Sequence, residues 1–165
     1  MRQFLKSTLI TTAIALGTTS ALVTAPAYAA DELNLTSAST QQAGLAVQGY
    51  DVIAYRTDAG PTLGSAEFSA DYNGATYRFV SQANLDRFNA DPARYVPAYG
   101  GFCAYGVSKS KKLEIDPTAY SVVDDVLYLN FNKRIQRRWS KKQDQYIDQA
   151  ETNWPEIESV AIGDL

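Results

Sequence analysis

The chain has 165 residues, with 15 Lys and Arg against 18 Asp and Glu, a single Cys and no His. The net charge of −3 argues against a nucleic-acid partner, and one cysteine excludes an intramolecular disulfide. With no histidine, Ser-His-Asp and Cys-His nucleophile activation are excluded, as is any His-containing metal site.

Residues 1–29 read as a cleavable signal peptide. Arg2 and Lys6 supply a short cationic start, the run "STLITTAIALGTTSALVTAPA" is apolar, and Ala27-Tyr28-Ala29 places the cut before Ala30. The apolar segments are short and no stop-transfer charge cluster follows, so the expectation is export to the periplasm rather than an integral membrane protein. Cleavage removes Arg2 and Lys6, leaving 136 residues with 13 cations and 18 carboxylates, a net charge of −5. That length suits one domain with its own core, and that sign gives no general attraction to anionic lipid.

Residues 30–43, "ADELNLTSASTQQA", are small and polar without an apolar period, which predicts a flexible leader. Order is expected from "GLAVQGYDVIAY" at 44–55, as a strand and a tight turn, followed by a loop at 56–65. In "EFSADYNGATYRFV" (67–80), Asn73-Gly74 is the preferred type I′ pair. A two-residue turn there pairs Tyr72 with Ala75, Ala70 with Tyr77 and Phe68 with Phe79, all on one face. Ser81 is the expected N-cap of a helix that brings Leu85 and Phe88 onto one side. Asp91-Pro92 restarts a short helical turn, which Pro97 closes.

The segment "YGGFCAYGVSKSKK" at 99–112 reads as loop or turn. A second hairpin is predicted over 119–130, with Asp124-Asp125 at the turn and Tyr120, Val122, Leu127 and Leu129 on a shared face. From Asn132 to Trp154 the spacing of Ile135, Trp139, Tyr146, Ala150 and Trp154 gives a helical stripe. Six cations between Lys133 and Lys142 precede the acids, an order that opposes the dipole of one continuous helix. The expectation is two helices, broken near 140–144, with Asp144 as the second cap and Pro155 as its end. Residues 156–165 are read as a loose tail. The fold class is therefore α+β: a small antiparallel sheet from two β-hairpins, a helix between them and two C-terminal helices.

Cys103 admits three readings. It is a small buried apolar side chain, a soft-metal ligand favouring Cu(I), or a reactive thiol whose pKa Lys109, Lys111 and Lys112 would lower. The glycines of "YGGFCAYG" match neither the phosphate-binding loop nor the dinucleotide fingerprint. Tyr50, Tyr55, Tyr99 and Tyr105 lie in Gly-rich segments, where they either line a pocket or pack in the ordinary way. The basic run "KRIQRRWSKK" reads as a solvated helix face, with an anionic partner as the alternative.

The ordered series "GYDVIAY", "YNGATYRFVSQANLDRFNADPARYVP" and "YGGFCAYGV" resembles the YHS-domain family, in its exported single-domain branch, over about Gly44 to Asn132. The resemblance implies a domain over 44–155, a small treble-clef-like scaffold of a kind often attached to copper-handling proteins. The family's cysteines, in "DPVCGM" and "YFCSxxC", fall here at Ala54, Val80 and Asn84, and its namesake histidine is missing. The usual ligand set cannot be carried over, and Cys103 remains. The reading is a non-enzymatic periplasmic binding protein with a soft metal such as copper as leading ligand. Cys103 is the candidate metal ligand, with Asp51, Tyr55, Tyr99 and Tyr105 as its candidate neighbours. A Cys103-based redox enzyme and a metal-free structural or partner-binding module are the competing classes.

Overall fold

The computed structural model describes residues 32–35 and 44–165. The expected signal peptide lies outside them. Asn73 and Gly74 adopt φ of 48° and 82°, the two left-handed positions that a type I′ turn requires. They join β1 (Ser65–Tyr72) to β2 (Ala75–Phe79). Tyr72 stands opposite Ala75 and Ala70 opposite Tyr77, as the alternation predicts. The expected Phe68–Phe79 pair does not form, because a bulge sets Phe79 opposite Ser65. The backbone released by the bulge is satisfied locally: Ser65 Oγ accepts from the Glu67 N–H and Ser69 Oγ donates to the Ala66 carbonyl. Gly64, just before β1, passes so close to the Arg78–Phe79 peptide that a Cβ would collide with it.

Ser81 Oγ accepts from the Asn84 N–H and caps α1 (Gln82–Ala90) as expected. This helix lays Phe88 against the hairpin, its ring centroid 4.9 Å from Tyr77 and 5.0 Å from Phe79. Phe79 and Phe88 are fully buried, and each contributes roughly 1.5–3 kcal/mol by leaving water. Pro92 opens the one-turn α2 (Pro92–Tyr95).

The second hairpin joins β3 (Asp116–Val123) to β4 (Val126–Asn130) through Asp124 and Asp125, with φ of 49° and 65°. Tyr120 faces Leu129 and Val122 faces Leu127, the register read from the pattern. β3 starts three residues before the expected position, across a bulge between Asp116 and Tyr120. The fold class is α+β, but the hairpins form two separate two-stranded sheets rather than one. The reason lies at their edges. Leu45 pairs in parallel with Thr76 of β2, and Cys103 pairs in parallel with Leu129 of β4. Short segments thus occupy edge positions where the hairpins could have met.

The segment around Cys103 is more ordered than a loop. Residues 99–101 form a 3-10 turn, and α3 (Ala104–Val107) is one α-helical turn that begins after Cys103. The C-terminal region breaks as expected into α4 (Lys133–Ser140) and α5 (Gln143–Ile157). Asp144 is not the cap: Lys142 occupies that place without a side-chain bond, and Asp144 sits in the first turn. Nor does Pro155 end α5. The Glu158 N–H still reaches the Trp154 carbonyl at 2.8 Å, and buried Ile157 holds the last turn against the second core.

Both segments read as loose from their composition make contacts where they are described. Asn34 donates its N–H to the Gly100 carbonyl and its Nδ2 to the Gly101 carbonyl, while Leu35 bridges to Ala46. At the other end, the carbonyls of Glu158 and Val160 accept from Lys112 Nζ, and Leu165 packs on the second core. Two apolar clusters result. One joins β2, α1 and the 46–55 segment with Cys103, Leu127 and Leu129. The other joins Tyr99, Phe102, Val107 and Tyr128 with Trp139, Ala150 and Ile157 of the C-terminal helices. Among the described residues no helix is long and apolar enough to cross a membrane.

Candidate functional site

Cys103 stands at the N-cap of α3, where a helix start leaves backbone N–H groups without carbonyl partners. Its Sγ accepts from the Gly106 N–H at 3.4 Å and from the Phe131 N–H at 3.2 Å. The thiol lies 3.9 Å from Asn130 Oδ1, toward which its S–H can donate. The residue is wholly buried, and its own N–H donates to the Leu113 carbonyl. Burial pushes the thiol pKa up, and the backbone N–H groups only partly offset this. None of Lys109, Lys111 and Lys112 is bonded to the sulfur. Lys109 reaches Gln149 and lies over the Tyr105 and Tyr146 rings, and Lys112 reaches the Glu158 and Val160 carbonyls.

The four expected neighbours each have other partners. Asp51 is wholly buried and accepts four hydrogen bonds. Oδ1 takes the N–H groups of Ile53 and Ala54, and Oδ2 takes the Val80 N–H and Asn84 Nδ2 at 2.9 and 2.6 Å. It ties the 51–54 turn to the end of β2 and the start of α1. Tyr55 donates its hydroxyl to the Pro117 carbonyl at 2.8 Å and packs edge-on against Tyr120. Burial, then the neighbouring Tyr50, raises its pKa. Tyr99 donates to Glu151 Oε1 at 3.0 Å and lies beside Tyr128 and Trp154 in the second core; burial and then Glu151 raise its pKa. The Tyr105 hydroxyl accepts from Arg138, and its ring meets Tyr146 edge-on. These hydrogen bonds do not converge on the sulfur.

A different place is open. A cavity of about 220 Å³ lies between the tip of the first hairpin (Tyr72, Asn73), Tyr77, the turn from Val96 to Gly100, and the terminal segments at Glu32, Leu33 and Glu158. Its wall depends on Gly100, which has φ of 60° and faces the Glu32 carbonyl so closely that any Cβ would collide with it. Tyr77 is 3% exposed, and its hydroxyl makes no hydrogen bond among the described residues. Burial raises its pKa well above the usual phenol value, with Tyr72 adding to the effect.

Most of the residues that build this cavity, from Tyr72 to Pro97, fall in the segment of the chain with a recognised sequence pattern. Residues 58–99 match the family model of the YHS domain. That segment, about a quarter of the chain, is similar to a YHS domain. No curated protein and no solved structure matches the chain. The match ends at Tyr99, so Cys103 lies beyond the YHS segment, and Asp51 and Tyr55 lie before it.

A soft metal, which the YHS resemblance implies, does not fit the donors present. Cys103 is the chain's one thiol and there is no imidazole. Two N–H groups already point their positive ends at the sulfur, and the nearby amide oxygen of Asn130 is a poor soft-metal donor. Among the described residues no group of three His, Cys, Asp or Glu side chains is placed to hold an ion.

Sequence reasoning overlooked the cavity because its parts are distant in the chain. The signal that could have pointed to it is Tyr77. On the inward face of a strand, a tyrosine in place of phenylalanine brings a hydroxyl that needs a partner.

Proposed function

We propose that this chain is an exported, non-enzymatic binding module built on a YHS scaffold, in which Cys103 serves the fold and no resident metal is held. One observation carries the reading: the thiol is wholly buried, with its sulfur accepting two backbone N–H groups. A thiol so placed has a raised pKa and no base beside it, which is the opposite of an activated nucleophile. The binding function then falls to the open cavity beside the first hairpin. Export rests on the character of residues 1–29, and N-terminal sequencing of the protein from a periplasmic extract should begin at Ala30.

The decisive experiment pairs alkylation with a copper titration. In the folded protein near neutral pH, Cys103 should react with iodoacetamide orders of magnitude more slowly than in denaturant. An anaerobic Cu(I) titration read by native mass spectrometry should give no stoichiometric copper, with or without Cys103→Ser. Rapid alkylation would favour the thiol redox class instead. Stoichiometric copper that disappears in Cys103→Ser would restore the metal class.

A further inference from the structure

Resting on that reading, we propose that the cavity beside the first hairpin binds a primary ammonium group carried on a short apolar stem. At about 220 Å³ and roughly 30 Å³ per water-sized group, it holds about seven such groups. That is too small for a nucleotide or a haem and suits a short linear ligand. Its walls include Leu33, Val96, Tyr72 and Tyr77, which favour an alkyl stem.

Charge gives the sign of the ligand. Glu32 and Glu158 lie in the lining, and among the described residues neither side chain forms an ion pair and no Lys or Arg lines the space. The nearby Lys112 ammonium bonds the Glu158 and Val160 carbonyls and lies over Phe102 and Trp154. It is no part of the lining. Tyr77 supplies the independent observation. Its side chain is almost wholly buried and lines the cavity, yet its hydroxyl has no partner among the described residues. The hydroxyl is open to the space rather than sealed from water, so an ammonium N–H can reach it and donate to it. Apolar walls, one acceptor hydroxyl and two acidic residues are together the complement of an alkylammonium. The source is either a free amine or a lysine side chain of a partner protein, and the chemistry recognised is the same.

The test follows backbone amide resonances of the purified protein during titration with n-pentylamine, with 1-pentanol and pentanoate as controls. Saturable shifts are expected at Leu33, Asn73, Tyr77 and Gly100 with the amine. Pentanol should bind about tenfold more weakly, and pentanoate should leave these resonances unmoved. Tyr77→Phe, which keeps the ring packing on Phe88, should weaken the amine several-fold. Glu32→Gln with Glu158→Gln should weaken it about tenfold. An Nα-acetyl-lysine amide arm separates the sources: binding equal to pentylamine assigns a partner's lysine, and its exclusion assigns a free amine. Equal binding of pentanol, or no saturable shift with either amine, overturns the inference. The binding-module reading would survive that result if Cys103 still alkylates slowly and takes no copper, whereas fast alkylation would sink that reading while leaving the amine result standing.

Discussion

A thiol is a weak hydrogen-bond acceptor, and the N-cap position of a helix is usually filled by a side-chain oxygen. Cys103 fills it in a place that admits no water, where an apolar body is favoured and the two N–H groups still need an acceptor. The two demands are separable by substitution. Cys103→Ala leaves the Gly106 and Phe131 N–H groups unsatisfied and should lower stability by about 2 kcal/mol in urea unfolding. Cys103→Ser keeps an acceptor and should cost less than the alanine variant. Equal losses in the two would mean that packing, and not hydrogen bonding, is what the sulfur supplies. Asp51 is a parallel case. Its carboxylate receives four donors, so Asp51→Asn replaces an acceptor with an NH₂ among N–H groups. The expected loss is about 3 kcal/mol, read from the same unfolding curves. Neither role was legible from the sequence around the residue. Cys103 depends on Asn130 and Phe131, and Asp51 on Val80 and Asn84, all brought in by the fold from well along the chain.

Among the elements, the hairpins and helices were read most fully, because their instructions are local. Asn73-Gly74 and Ser81 act within three residues of themselves, and even the less favourable Asp124-Asp125 pair turns with both φ positive. The bulges in β1 and β3, the continuation of α5 through Pro155 and the separation of the two sheets depend on distant packing, and the local pattern is blind to that. The α5 result shows the balance: a proline deletes one N–H donor, and burial of Ile157 outweighs the loss. α4 carries a cost that is visible in its sequence. Arg134 lies in its first turn with Arg137 and Arg138 three and four residues on, and all three are exposed. Arg134→Glu reverses both the dipole mismatch and the like-charge contacts, and should stabilise the protein by roughly 1 kcal/mol at low salt. The gain should fade toward 1 M salt, where the screening length falls to about 3 Å. The second hairpin turn offers a test with pH. Asp125 accepts from Arg94 at 2.7 Å and from Arg56 at 3.1 Å. The hydrogen bond from Arg94, then the charges of both arginines, hold its carboxyl below the usual 3.8. A carboxylate with a depressed folded pKa adds stability above its unfolded value, and that stability is lost as pH falls through the folded one. Asp125→Asn keeps a residue that tolerates φ of 65° and should melt slightly below the parent at pH 7. The side chain is 41% exposed, so water weakens the pair, and the difference should be no more than about 3 °C. It should close by about pH 2.

For the whole molecule, the question is whether the YHS segment folds by itself. Residues 58–99 contain β1, β2, α1 and α2, yet the apolar surfaces they present are closed by residues from outside the match. Val52, Ile53 and Tyr55 precede it, and Cys103, Leu127 and Leu129 follow it in the first core. The second core is made almost wholly of residues after Tyr99, with Trp139, Ala150 and Ile157 supplied by the C-terminal helices. The two clusters meet through neighbours on one strand: Leu127 and Leu129 face the first, and Tyr128 between them faces the second. Loss of either core therefore strips one face of β4, and unfolding should be a single transition. Deleting residues 141–165 removes α5 and exposes Trp139, Phe102 and Tyr128, at roughly 1.5–3 kcal/mol for each large side chain returned to water. That approaches the 5–15 kcal/mol by which a domain of this size is usually stable. The truncated protein should show no cooperative urea transition, monitored by the fluorescence of Trp139, while the full chain unfolds in one step by both fluorescence and circular dichroism. A truncated chain that retained a sharp transition would make 44–140 an autonomous domain, with α5 an appendage rather than half of a core.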